Sequence, residues 1–96
     1  MKKGDKLFVR IDHKNKDLEY TSTDFTKHVD YLNKISKERY FLGGGFNNTN
    51  GGMILFEAKD INDARNIAEE DPIIKGKFFN FDLYEWELFI LSENSD

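Results

Sequence analysis

Apolar and polar residues recur along this chain with two different periods. In residues 6–12, Leu7, Val9 and Ile11 fall on one face of an extended segment and Phe8 and Arg10 on the other, the period of two that marks a strand. The run His13-Lys14-Asn15-Lys16-Asp17 is polar throughout and reads as an exposed, solubilising loop. The period then changes. Phe25, Val29, Leu32, Ile35 and Ser36 recur at helical spacing behind Ser22, Thr23 and Asp24, whose side-chain oxygens suit a helix N-cap. This helix is expected to end near Arg39. At about 100° per residue, His28 lies between the angular positions of Leu32 and Ile35, within the apolar stripe or on its edge.

Tyr40-Phe41-Leu42 gives a short strand signal that runs into Gly43-Gly44-Gly45, where missing Cβ atoms permit a bulge or the close approach of a ligand or another backbone. Residues 46–52 carry the Asn and Gly of a hairpin loop, and residues 53–58 are almost continuously apolar, as in a central strand covered on both faces. Asp60 is placed to cap a second helix bearing Ile61, Ala64, Ile67 and Ala68, which must stop before Pro72, the only proline. Residues 73–77 read as an irregular or helical turn closed by Gly76. Residues 78–91 form a long aromatic-rich strand in which neither alternating set is cleanly apolar.

Strand, helix, strand, strand, helix, strand is the split βαβ or ferredoxin-like order, an α+β fold with one antiparallel sheet and two helices on a single face. One domain spans residues 1–96, with a core over about 6–91 and a frayed tail at 92–96. The other sheet face would leave Phe8, Trp86 or their neighbours exposed, so a homodimer joined through that face is expected.

Charge and composition narrow the partners. The formal net charge of −4 provides no field to attract a polyphosphate backbone, which argues against nucleic acid. The chain has no cysteine and two histidines, which removes thiolate chemistry and Cys-type metal sites; His13 and His28 lack carboxylates at metal-ligand spacing, so no metal is expected. No apolar run reaches the roughly 20 residues of a membrane span, and none resembles a leader. A cytoplasmic protein is the expectation.

Among candidate chemistry, Arg10 stands mid-strand among apolar residues. Its guanidinium suits a substrate carboxylate or phenolate, while the plainer readings are an inter-subunit ion pair or exposure at the sheet edge. Gly44 and Gly45 lie where backbone N–H groups can approach an anion, or simply form the end of a strand and a pocket wall. Asp71 is fixed by Pro72 and, most plainly, caps the end of the second helix. Tyr40, Phe41 and Trp86 suit a core or a dimer interface better than substrate stacking.

The ordered set Tyr40-Phe41-Leu42-Gly43-Gly44-Gly45, Gly51-Gly52-Met53-Ile54-Leu55-Phe56, Ile61-Asn62-Asp63-Ala64-Arg65, Asp71-Pro72 and Trp86 resembles the YciI-like (YCII-related) proteins of the dimeric α/β-barrel group. The likeness runs from about residue 28 to 89, with Gly44-Gly45 where the family commonly has Gly-Pro. It implies a ferredoxin-like subunit that dimerises through its sheet, and an active-site pair of one histidine on the first helix with the Asp-Pro aspartate, here His28 and Asp71. In such a pair the carboxylate orients the imidazole and the other ring nitrogen handles the substrate proton.

Family enzymes include a dehydrochlorinase of a chlorinated hydroxyquinol, and muconolactone isomerase belongs to the wider group. The resulting expectation is proton-transfer chemistry, lyase or isomerase in type, on a small metabolite without a cofactor. Two alternatives use no turnover: a ligand-binding or regulatory dimer, and a structural interaction protein.

Overall fold

A computed structural model describes residues 1–93. It contains β1 (Lys6–Lys14), α1 (Ser22–Ser36), β2 (Phe41–Gly45), β3 (Gly52–Phe56), α2 (Ile61–Glu69), α3 (Pro72–Lys75) and β4 (Phe79–Glu87). The four strands form one antiparallel sheet in the order β2-β3-β1-β4. This is the ferredoxin-like arrangement, with one helical turn added before the last strand. Residues 94–96, part of the tail expected to fray, lie outside the described residues.

Strand register decides which side chains meet the helices. Phe8 pairs with Phe56, and Arg10 with Ile54, so these four share one face. There Phe8, Ile54 and Phe56 pack with Ile35 of α1 and with Ala64 and Ile67 of α2 to form the core. Phe8 is therefore a core residue, 3% exposed, and not part of the open face where alternation had put it. Leu7, Val9 and Ile11 take that open face beside Tyr84 and Trp86 of β4. The reversal has a physical cause: alternation favours the wholly apolar set Leu7, Val9 and Ile11 for the covered side, whereas the helices cover the mixed set of Phe8, Arg10 and Asp12, whose charges are paired with one another and with Asp71.

Several boundaries also move. His13 and Lys14 continue β1 because Asn80 and Phe79 of β4 offer ladder partners, and His13 Nε2 lies 2.8 Å from Asp82 Oδ2. Ladder pairing thus overrides the polar composition that reads as loop. β4 ends at Glu87; beyond it Leu88 stays buried and bonded to Gly4 and Asp5, while Phe89 and Ile90 are 75% and 89% exposed. α1 ends at Ser36, and its N-cap is Thr21, one residue ahead of the three expected. The Asp24 N–H donates to Thr21 Oγ1 at 3.1 Å, and the Thr21 N–H donates to Asp24 Oδ2 at 2.8 Å, a reciprocal capping box. Bonding from the Thr21 N–H holds the Asp24 carboxyl below the usual carboxylate range.

Two consequences can be measured. Thr21→Ala should cost about 1 kcal/mol of unfolding free energy in urea titrations. Because the folded-state pKa of Asp24 is lowered, its half of the box contributes above the usual carboxylate pKa and fades as the pH falls through that range. At the hairpin, Gly51 has φ +99° and a Cβ there would sit 2.2 Å from the Asp12 carbonyl oxygen. Gly51→Ala should therefore destabilise the fold by roughly 2–3 kcal/mol.

Candidate active site

The site grows from the segment that joins α2 to β4. α2 closes at Glu69 with Glu70 as C-cap, and Asp71 then starts α3: its Oδ1 accepts from the Ile73 N–H at 3.0 Å, and Pro72 follows as the first helical residue. Asp71 thus caps the beginning of a new turn and not the end of α2. A proline at that place loses no hydrogen bond, because the first N–H groups of a helix have no partner within it. The arrangement fixes the Asp71 carboxylate beneath α1, fully buried at 0% exposure.

His28, one face of α1, reaches this carboxylate. Its Nδ1 lies 2.7 Å from Asp71 Oδ2 and 2.9 Å from Oδ1. Asp71 already accepts from a backbone N–H and from Arg10, so Nδ1 is assigned as the ring nitrogen that carries the proton and donates. Nε2 then holds the lone pair. The His28 side chain is 13% exposed and forms part of a cavity wall.

Arg10 supplies the other half of the arrangement. Its Nη2 donates to Asp71 Oδ2 at 2.9 Å and to Asp12 Oδ2 at 2.9 Å, and its Nε donates to Asp12 Oδ1 at 2.7 Å. The Phe81 ring centroid lies 5.9 Å from its Cζ. Arg10 is 1% exposed, neither at an edge nor on the open face, and its donors are turned to protein carboxylates where the sequence suggested a substrate anion. A guanidinium buried at this depth requires such pairing.

Asp12 was not singled out in the sequence. It sits two residues beyond Arg10 on the same face of β1, which is the only local signal that it could meet the guanidinium. Burial pushes its carboxyl above the usual carboxylate range; neighbouring Arg10 opposes this, and the Asp71 charge adds to it. The Tyr31 hydroxyl, which donates to the Ile67 carbonyl at 2.8 Å, is also pushed up, by burial first and then by Asp71.

A cavity of about 460 Å³ opens beside these groups, walled by α1, the β2–β3 hairpin and β1. The stripe of α1 divides: Ile35 enters the core, Phe25 and Val29 line the cavity, and Leu32 borders both. The Phe25 ring stands 5.5 Å from the His28 ring, and Phe79 lines the same space. Gly44 and Gly45 both border it, but in different ways. Gly45 pairs with Gly52 on the helix-facing side, and a Cβ there would meet nothing closer than 3.8 Å; Gly44 pairs with Met53 and faces the other side. The hairpin therefore leaves space that side chains would otherwise fill.

Among the described residues no group of His, Cys, Asp or Glu is arranged to hold a metal ion, and no helix is long and apolar enough to cross a membrane.

Comparison with known proteins gives three results. The chain resembles, in fold, the 5-chloro-2-hydroxyhydroquinone dehydrochlorinase (TftG) from Burkholderia phenoliruptrix AC1100 in complex with 2,5-dihydroxybenzoquinone, with a TM-score of 0.71 and 18% identity over 84% of this chain and 93% of that one. No curated protein matches the sequence. The model of the YCII-related domain matches residues 7–87, nearly the whole of the folded sheet and its helices, and the chain belongs to the YCII-related domain family.

Proposed function

We propose that this protein is a small-metabolite enzyme that moves a proton with His28, in a lyase or isomerase reaction on a small ring compound. The observation that carries this reading is the contact between His28 and Asp71 on the wall of a cavity. With Nδ1 donating to a buried carboxylate, Nε2 is the basic nitrogen. It takes a proton from bound substrate, and Asp71 stabilises the imidazolium that results. Arg10 is a positioning residue: its Nη2 holds the oxygen of Asp71 that faces His28 most closely. Gly45 leaves room for the ligand, and Gly44 contributes backbone to the rim.

The walls favour a planar, apolar-faced molecule, since Phe25, Phe41 and Phe79 border the cavity. The name of the Burkholderia protein, a dehydrochlorinase of a hydroxylated ring, is compatible with the same type of proton abstraction. No step requires a cofactor.

The working unit in this reading is a homodimer joined through the open sheet face. Leu42, Met53, Tyr84 and Trp86 lie on that face at 46%, 38%, 55% and 44% exposure, a set of large apolar groups that a second copy would cover. Light scattering at micromolar concentration should give twice the chain mass, and Trp86→Glu should give the monomer.

The test of the chemistry begins with 5-chloro-2-hydroxyhydroquinone and related hydroxylated rings, followed by chloride release or ultraviolet absorbance. His28→Gln should lower kcat by about 10²–10⁴-fold while binding of 2,5-dihydroxybenzoquinone persists. Full turnover by that variant would exclude His28 as the proton acceptor, and binding without turnover by the unmodified protein would favour a ligand-binding dimer. Arg10→Met leaves two buried carboxylates without their cation and should cost about 3–5 kcal/mol in urea unfolding.

A further inference from the structure

The ions around Arg10 do not balance. One guanidinium, 1% exposed, is shared by two carboxylates, Asp71 at 0% and Asp12 at 8% exposure. With a neutral His28 the buried cluster keeps one uncompensated negative charge, a costly state where water is excluded. A single added proton removes it, and two members can hold that proton at the cavity: His28 and Asp12, which both line it. Asp71 does not line it.

We propose that Asp12 is a second proton-holding residue of the cavity, tied through Arg10 and Asp71 to His28, so that the cluster stores one proton shared between two ends that both face the ligand. The contacts supply the route for this coupling. Arg10 Nη2 touches Asp12 Oδ2 and Asp71 Oδ2, each at 2.9 Å, and the latter oxygen lies 2.7 Å from His28 Nδ1. The charged groups that face Asp12 are Arg10 on its own strand, His28 from α1 and Asp71 from the head of α3. β3 and β4 pair with it through Gly52 and Phe81 and bring no charge. Burial and Asp71 favour the protonated form of Asp12, whereas Arg10 and a charged His28 oppose it.

The consequence rests on the function proposed above. A base and an acid then border one ligand: a substrate C–H bond breaks as an N–H bond forms at His28 Nε2, and the Asp12 O–H bond breaks as its proton passes to a substrate oxygen. The cluster ends with the same number of protons, on imidazolium and carboxylate, and resets by exchange with water. A shift of a double bond along a hydroxylated ring needs such a pair of transfers at two places.

Carbon-13 NMR of the side-chain carboxyl of Asp12 tests the coupling without any substrate. Asp12 should titrate above the usual carboxylate range. His28→Gln, which removes the other group able to hold the shared proton, should move its midpoint upward by roughly half a pH unit, and Asp71→Asn, which keeps a capping side chain, should move it downward. An Asp12 midpoint in the usual range, unmoved by both substitutions, would overturn the proposal. On any ring compound that the protein turns over, Asp12→Asn should lower kcat at least tenfold with KM little changed; unchanged kcat would reduce Asp12 to a counter-ion of Arg10 and also overturn it. If no ring compound is turned over, the function above fails, and the titration still decides whether the proton is shared.

Discussion

One buried guanidinium organises this molecule. Arg10 lies on the helix-facing side of β1, where β3 supplies Ile54 as its partner and β4 supplies Leu83, an apolar place in which a free cation would be untenable. Its stability there depends on Asp12 from the same strand and Asp71 from a different part of the chain. Asp71 is in position only because the chain leaves α2, turns at Pro72 and starts α3. The ion cluster thus joins the first strand to the segment before the last one and fixes His28 between them, so that fold and site are the same set of contacts.

The glycines of the β2–β3 hairpin act in the opposite sense, by leaving space. β2 is an edge strand with three consecutive glycines, and side chains at Gly43 and Gly45 would project toward α1. A Cβ at Gly43 would already meet Ile54 Cγ1 at 2.8 Å. Removing side chains from an edge strand weakens its packing, and here that loss coincides with a cavity beside the one histidine of α1. The sheet is thus firm around Arg10 and open around His28.

Much of this was legible from residue order, for identifiable reasons. Helical periodicity put His28 toward the sheet because an angular position depends only on spacing along one element. Pro72 marked the break after α2 because it lacks an N–H. The pairing of His28 with Asp71 came from family resemblance, since spacing within one segment says nothing about contacts 43 residues apart. Asp12 gives little signal because it stands at the end of the expected strand next to a charged run, and what buries it is the Arg10 guanidinium two residues away on the same face. Alternation misplaces Phe8 because its strand neighbours on that face, Arg10 and Asp12, are charged and are buried only through a pairing with the distant Asp71, and the cap is misplaced because four consecutive residues, 21–24, can all cap a helix.

In the proposed function, the Asp71-held imidazole addresses a ligand in the cavity through Nε2. A crystal structure of the protein soaked with 2,5-dihydroxybenzoquinone tests this most directly. The ring should lie between α1 and the glycine hairpin, with an oxygen within about 3.2 Å of His28 Nε2. A ring bound elsewhere, or one in the cavity with its oxygens turned away from His28, would contradict it.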